Sequence, residues 1–198
     1  LVERAHVKKG QKVFIQAGSG GVGTIAIQLA KHLGAFVATT ASTKSFDLLK
    51  QLGADLTIDY KTQDFEALLT DYDVVLNSQD KKTLEKSLNI LKRGGKAVSI
   101  SGPPTPDFAR EIGASWLIKT ILSLLSSGIR RKARKLDVDY SFLFMRANGE
   151  QLEQITGLVE SGIIKPVIDK SFPFEELNQA LEYVESGRAK GKVVLISR

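Results

Sequence analysis

GSGGVG, residues 18–23, stands between the apolar run VFIQA and the stretch TIAIQLAKHLGA. An apolar run stops, glycines crowd together, and a helix-like pattern begins. Glycine lets a backbone approach another group closely, so something is expected to lie against the chain here. The spacing is G-x-G-x-x-G on Gly18, Gly20 and Gly23. Alone the string says little; after a strand and at the mouth of a helix it reads as a dinucleotide-binding loop. Gly18 is expected to make the tight turn, Gly20 to admit a pyrophosphate, and Gly23 to let the helix pack on the strand. Ser19, Gly21 and Val22 complete the loop. The N–H groups at the helix start, with their partial positive charge, suit phosphate. A glycine-rich turn with no ligand is the plainer alternative.

Outward from the loop, the pattern alternates. A strand is expected over 12–17 and a helix from Gly21, carried by Val22, Ile25, Ala26, Leu29, Ala30 and Leu33 and ended by Gly34. FVATTA (36–41) reads as a strand, 44–53 as a helix, LTIDY (56–60) and DYDVVLN (71–77) as strands, 81–92 as a helix, and KAVSIS (96–101) as a strand after a turn at Gly94 and Gly95. Strands alternating with helices imply a parallel sheet covered on both faces. Right-handed crossovers then give an α/β, doubly wound Rossmann fold. The rhythm changes at PPTP (103–106), before an apolar helix near 113–128 and the basic run IRRKARK (129–135). VDYSFLFM (138–145) reads as a strand, and 149–161 as a helix with Leu152, Ile155, Leu158 and Val159 on one face. The tail reads strand, helix, strand.

Which dinucleotide is read after the second strand. An NAD site places Asp or Glu about 20 residues beyond the glycines, on the ribose 2′-OH. Here the chain reads TTASTKSF, with no carboxylate before Asp47. Ser42, Thr43 and Lys44 offer hydroxyls and a cation instead. A 2′-phosphate is attracted by Lys44, so the pattern favours NADPH over NADH. Lys44 simply starting a helix in water is the alternative. A Walker-type loop is not expected, since no Lys-Ser or Lys-Thr follows Gly23. A methyltransferase would want the same missing acidic residue.

Composition narrows the rest. The chain has 198 residues and no cysteine, which removes disulfides and thiolate chemistry within it. Two histidines, His6 and His32, do not make a familiar metal cluster, and no metal is expected. His32 falls on the polar side of its helix. The net charge is +6, much of it in residues 129–135. Such a run could attract nucleic acid, an anionic membrane or an anionic ligand, but a solvated helix end is the simpler reading, and nucleic acid is not expected as a partner. The stretch GASWLIKTILSLLSSGI is interrupted by Lys119 and serines and falls short of the ~20 apolar residues of a membrane span. It is read as a core or subunit-contact helix, with a membrane-surface role as a minor alternative.

VFIQAGSGGVGTIAIQLAKHLGA, LGADLTIDY and GIIKPVIDKSFPFEELNQALEYVESGRAKGKVVLIS together resemble the medium-chain dehydrogenase/reductase superfamily. The resemblance is nearest to its zinc-independent NADPH:quinone oxidoreductase branch, which includes zinc-type alcohol dehydrogenase-like proteins. It covers nearly the whole chain and is weakest from about 103 to 137. It implies a Rossmann domain over 1–148 and, over 149–198, a helix and tail returning toward a GroES-like catalytic domain that this sequence lacks. By position it puts the pyrophosphate on residues 18–23 and the 2′-phosphate on Ser42 and Lys44. It places Tyr60 near the adenosine phosphate, with packing on the sheet an equal alternative. It places Ser101 and Gly102 by the nicotinamide ribose, Phe144 and Met145 by the nicotinamide, and Lys192 within reach of the phosphates. One departure is NSQD (77–80), where many relatives have Asp followed by Val-Gly.

The expected activity is hydride transfer from NADPH to a small-molecule acceptor such as a quinone, enone or related carbonyl. The cofactor carries the chemistry and the protein supplies binding and orientation. No acid–base pair is evident, so the catalytic residues are left unassigned, and the 198-residue chain alone is expected to turn over slowly or not at all. The alternative is a non-catalytic nucleotide-binding or membrane-adaptor module of the same fold. A homodimer is expected through the edge strand near 138–145, and a cytoplasmic location, unless a targeting signal lies upstream.

Overall fold

A computed structural model describes residues 1–197. The first element is strand β1, Lys12–Ile15, followed by helix α1, Gly23–His32. Then come β2 (Phe36–Ala41), a 3-10 turn at Thr43–Ser45, α2 (Phe46–Gln51), β3 (Leu56–Asp59) and the short α3 (Phe65–Leu68). β4 (Tyr72–Asn77), α4 (Lys81–Asn89) and β5 (Leu91–Ser99) follow. The six-stranded sheet closes with β6, Asp139–Phe142, after α5 (Pro106–Glu111), α6 (Trp116–Leu125) and α7 (Ser127–Lys135). Its order is β3-β2-β1-β4-β5-β6, and every pair is parallel. The chain therefore winds one way from β1 to β3 and the other way from β4 to β6. The crevice between β1 and β4 is the switch point of a doubly wound sheet.

Alternation along the strands builds two cores. On β1, Val13 and Ile15 face one layer and Phe14 the other. Val74 and Leu76 of β4 join the first, and Val75 the second. Ala26, Ile27 and Ala30 of α1 and Leu49 of α2 cover the first face. Phe65, Leu84, Leu88, Ile129 and Ala133, from α3, α4 and α7, cover the second. Each large side chain fully buried here contributes about 1.5–3 kcal/mol.

Several boundaries differ from the sequence reading. The first strand stops at Ile15 because Ala17 takes a left-handed backbone, φ 50. The apolar helix expected near 113–128 is the shorter α6, the basic run forms its own helix, α7, and a separate helix, α5, precedes them. Thr105 caps α5 by accepting the Phe108 amide, and Gly113, φ +65, follows it. The strand expected over 138–145 pairs only through Phe142, so Phe144 and Met145 lie beyond the sheet. Gly94, φ +73, does turn the chain. The register jumps from Leu91 opposite Tyr72 to Lys96 opposite Val74, and the residues between bulge out.

The tail forms α8 (Gly149–Glu160), β7 (Ile168–Pro173), α9 (Leu177–Glu185) and β8 (Lys192–Ile196). β7 and β8 pair in parallel, as a strand-helix-strand unit. Its attachment to the larger sheet is local. Ile164 is buried, Gln28 of α1 binds the Lys165 backbone, and Gly191 bridges to Gly20.

Candidate dinucleotide site

The glycine loop hangs on the end of β2. The Gly18 amide donates to the Thr40 carbonyl at 2.9 Å and the Ala17 amide to Thr40 Oγ1 at 3.2 Å. The tight turn runs from Ala17 to Gly20, whose amide donates to the Ala17 carbonyl at 3.0 Å, so Gly18 lies within it as the sequence spacing suggested, while the left-handed residue is Ala17, φ 50. Gly18 is small for another reason: a β-carbon there would run into the Thr39 side chain. Gly23 serves close packing as expected, since its β-carbon would lie 2.5 Å from the Ala17 carbonyl oxygen and 2.6 Å from Gly18 Cα. Gly20 is different. An added β-carbon would meet only the Ala17 carbonyl, at 3.3 Å, so the fold barely needs a glycine there. Its bareness opens the backbone to the cleft it lines.

Among the described residues, the amides of Ser19, Val22 and Gly23 donate no hydrogen bond to the protein, whereas the parallel bridge of Gly20 to Gly191 turns the Gly21 amide toward the Gly191 carbonyl. α1 starts with Val22 at its N-cap and no side-chain cap. These are the donors and the dipole end that bind an anion. Unpaired N–H groups around a bare glycine fit the pyrophosphate of a dinucleotide.

The cleft beside the loop has a volume of about 1020 Å³ and runs past the carboxyl ends of β1, β2 and β3. It brings together Ser19, Gly20, Ser42, Lys44 and Tyr60, as the sequence reading grouped them. Tyr60 is 62% exposed, so it presents its ring to the cleft rather than packing on the sheet. Val22 is exposed, beside the loop rather than in the cleft. Lys192 does not line the cleft, but its Nζ stands 3.1 Å from where a β-carbon on Gly21 would fall. Ser101, Gly102, Phe144 and Met145 lie outside it. Ser101 Oγ donates to the Gln79 carbonyl at 2.6 Å, and the Gly102 amide to Ser99 Oγ at 2.7 Å.

The cleft is cationic. Lys44, Lys61, Lys82, Arg188 and Lys190 line it, and none forms an ion pair among the described residues. Lys86 is the exception, held by Asp64 at 2.7 Å. Hydrogen bonding from Lys86 keeps the Asp64 carboxyl below its ordinary range, and Asp64 in turn raises Lys86. The Asp59 carboxylate, at the end of β3, accepts from the Thr43 hydroxyl and the Lys61 amide, which lower its pKa. It is thereby engaged beside Thr43 and Lys61 without lining the cleft. Unpaired cations facing one cavity repel one another and are relieved by an anion.

Sequence reasoning missed Lys61, Lys82, Arg188 and Lys190. Lys61 sits next to Tyr60, with its ammonium 6.0 Å from that ring. Arg188 and Lys190 lie between Gly187, φ +67, and Gly191, φ +95, in a loop of the tail that bends over the cleft. The signal was a basic tripeptide framed by glycines, which a solvated turn shares.

Of the 77–80 departure, Asn77 is absorbed inside the protein. Asn77 is fully buried at the end of β4; its Nδ2 donates to Gln16 Oε1 at 2.6 Å, and its Oδ1 accepts from the Ser99 and Ser101 hydroxyls. Gln16 in turn donates to the Ser87 hydroxyl. This network ties β1, β4 and β5 together at the switch point. Gln79 remains at the cleft wall. No group of three or more potential metal ligands occurs among the described residues, so they supply no donor set on which to derive zinc chemistry.

A doubly wound sheet with a glycine loop at the mouth of its first helix defines a dinucleotide-binding class of fold. The sequence profile of the family described as zinc-binding dehydrogenase matches residues 52–195, and the chain belongs to that family. It is 36% identical to 2-methylene-furan-3-one reductase of Solanum lycopersicum, over 98% of this chain and 42% of that protein. It is 34% identical to the chloroplastic NADPH-dependent alkenal/one oxidoreductase of Arabidopsis thaliana, over 97% of this chain and 42% of that protein. The quinone oxidoreductase structure from Coxiella burnetii superposes with a TM-score of 0.81 at 31% identity, covering 98% of this chain and 55% of that one. The chain thus spans about half the length of the relatives it matches. Among the described residues no helix is long and apolar enough to cross a membrane.

Proposed function

We propose that this chain is the NADPH-binding portion of an oxidoreductase that passes hydride to an enone, a quinone or a related carbonyl acceptor. The observation that carries the reading is the pairing of unsatisfied amides, Ser19 in the cleft wall and Val22 and Gly23 beside it at the start of α1, with the unpaired cations of one cleft at the strand ends. The amides of Ser19, Val22 and Gly23 hold the pyrophosphate, with Lys192 close to Gly21. Ser42, Lys44 and Tyr60 hold the 2′-phosphate, and Lys61, Arg188 and Lys190 add positive charge. Bound NADPH supplies the hydride; the chain binds and orients it. The relatives named as an alkenal/one oxidoreductase and a quinone oxidoreductase support the acceptor class. Residues 1–148 form the nucleotide domain, and the exposed apolar side chains of the tail, among them Phe174, Leu181 and Val184, suit a further domain outside this chain.

Ser101, Gly102, Phe144 and Met145 stand nearer the nicotinamide end, beyond the cleft. Titrating the chain with NADPH tests the binding, and stopped-flow assay with an enone and with a quinone tests turnover. The chain alone binds NADPH and reduces acceptors far below the ~10 per second of a typical enzyme. A second copy pairs at β6, one edge of the sheet; light scattering showing a monomer at high concentration counts against this.

A second reading, a membrane-docked module, is favoured by one observation. Trp116, Leu117, Leu124 and Leu125 of α6 are more than half exposed, and α7, the helix that follows, carries the exposed cations Arg131, Arg134 and Lys135. Arg130 and Lys132 do not contribute, being turned inward to Ser123 and to the Glu85 carbonyl. Liposome co-sedimentation that is unchanged by reversing those three free charges counts against it.

A further inference from the structure

Gln28 lies in the middle of α1, away from the cleft, and is only 7% exposed. Its carboxamide is fully engaged. Nε2 donates to the Thr24 carbonyl at 2.9 Å and to the Lys165 carbonyl at 3.0 Å, and Oε1 accepts the Lys165 amide at 2.8 Å. The two bonds to Lys165 clamp one backbone unit of the tail as a neighbouring strand would. A buried amide satisfied in this way fixes the position of its partner.

The clamp connects to the cleft through a short ring of hydrogen bonds. Two residues beyond Lys165, the Val167 carbonyl accepts the Lys192 amide at 2.7 Å. The same carbonyl stands where a β-carbon on Gly191 would fall, so the two segments pack backbone against backbone. The Gly191 amide then donates to the Ser19 carbonyl at 2.9 Å, and Gly191 bridges to Gly20. Ser19 leads back through the glycine loop into α1. Immediately before Gly191 come Arg188 and Lys190, which stand over the cleft on a loop with little other support.

We propose that Gln28 is a positioning residue for cofactor binding: it pins the tail at Lys165 so that Arg188 and Lys190 are held over the phosphate groups of the dinucleotide. This rests on the NADPH reading of the cleft. The tail is then part of the cofactor site, and its docking and NADPH binding reinforce each other, as linked equilibria require. Losing Gln28 frees residues 165–167, loosens the 187–191 loop and takes both cations off the ligand. The glycine loop, Lys44 and Tyr60 stay in place.

The test is a double-mutant cycle read by calorimetric titration of the 198-residue chain with NADPH. The variants are Gln28→Met, Arg188→Ala/Lys190→Ala together, all three changes, and Lys44→Ala as the control. Gln28→Met is expected to weaken NADPH about tenfold, and to cost nothing further once Arg188 and Lys190 are gone, because coupled residues are not additive. Gln28→Glu keeps the size and the acceptor for the Lys165 amide but loses the donors; it shifts affinity the same way should the methionine variant not fold. Trypsin supplies a second readout: NADPH protects the bonds after Arg188 and Lys190 in the wild type and not in the Gln28 variants. Two results overturn the inference while leaving the cofactor reading intact. One is unchanged affinity in the Gln28 variants while Lys44→Ala weakens binding; the other is a Gln28 effect that persists in full without the two cations. Failure of the wild-type chain to bind NADPH at all overturns the cofactor reading, and the inference with it.

Discussion

A β-carbon on Gly18 would collide with the side chain of Thr39, whose hydroxyl donates to the Ile15 carbonyl at 2.6 Å. Gly18 therefore serves the fold, whereas Gly20, with only the Ala17 carbonyl at 3.3 Å, serves the cleft. The two glycines should separate in experiment. Gly18→Ala lowers stability by about 1–3 kcal/mol, the usual cost of overpacking, seen as a lower midpoint in a urea melt. Gly20→Ala melts close to the wild type but loses NADPH affinity.

The network at the switch point makes a second prediction. Asn77→Asp removes the amide that donates to Gln16 and buries a charge beside the Ser99 hydroxyl. Breaking a buried polar pair in this way costs about 1–3 kcal/mol. The aspartate variant should recover part of that loss at acid pH, when a protonated carboxyl again donates; Asn77→Leu should not recover. Chemical denaturation at two pH values measures the difference.

Asp73 sets an acid limit. Burial pushes its carboxyl up, but the Lys92 ammonium and the Lys12 amide outweigh this and hold it below the ordinary carboxylate range. A depressed folded-state pKa contributes stability above the unfolded value, ~3.9 for Asp, and that stability is lost as pH falls through the folded value. The wild type should lose more stability than Asp73→Asn as pH drops below about 4. Equal slopes for the two proteins would contradict this.

The alternation of short apolar runs with helical periods gave away the parallel sheet, since each strand buries both faces and each helix only one. G-x-G-x-x-G at a strand-helix junction located the loop, and the absence of a carboxylate before Asp47 pointed to Lys44. Less was legible where geometry is non-local. Ala17 takes a left-handed backbone, and Gly18 is hemmed in by Thr39 of the next strand. Arg188 and Lys190 reach the cleft only because the tail folds back onto the glycine loop. Gln28 looked like one more polar residue on a helix. Its partner, the backbone of Lys165, carries no side-chain signature. Asn77 read as a departure at the cleft and proved to be a buried tie between strands.

The central claim is that the cationic cleft beside the glycine loop selects a 2′-phosphorylated dinucleotide. Calorimetric titration with NADPH and with NADH, on this chain and on Lys44→Ala, tests it most directly. The account predicts tighter binding of NADPH, with the preference falling by roughly tenfold or more in the variant, as for loss of one charge-assisted hydrogen bond. Equal affinity for the two dinucleotides, unchanged by Lys44→Ala, would contradict it.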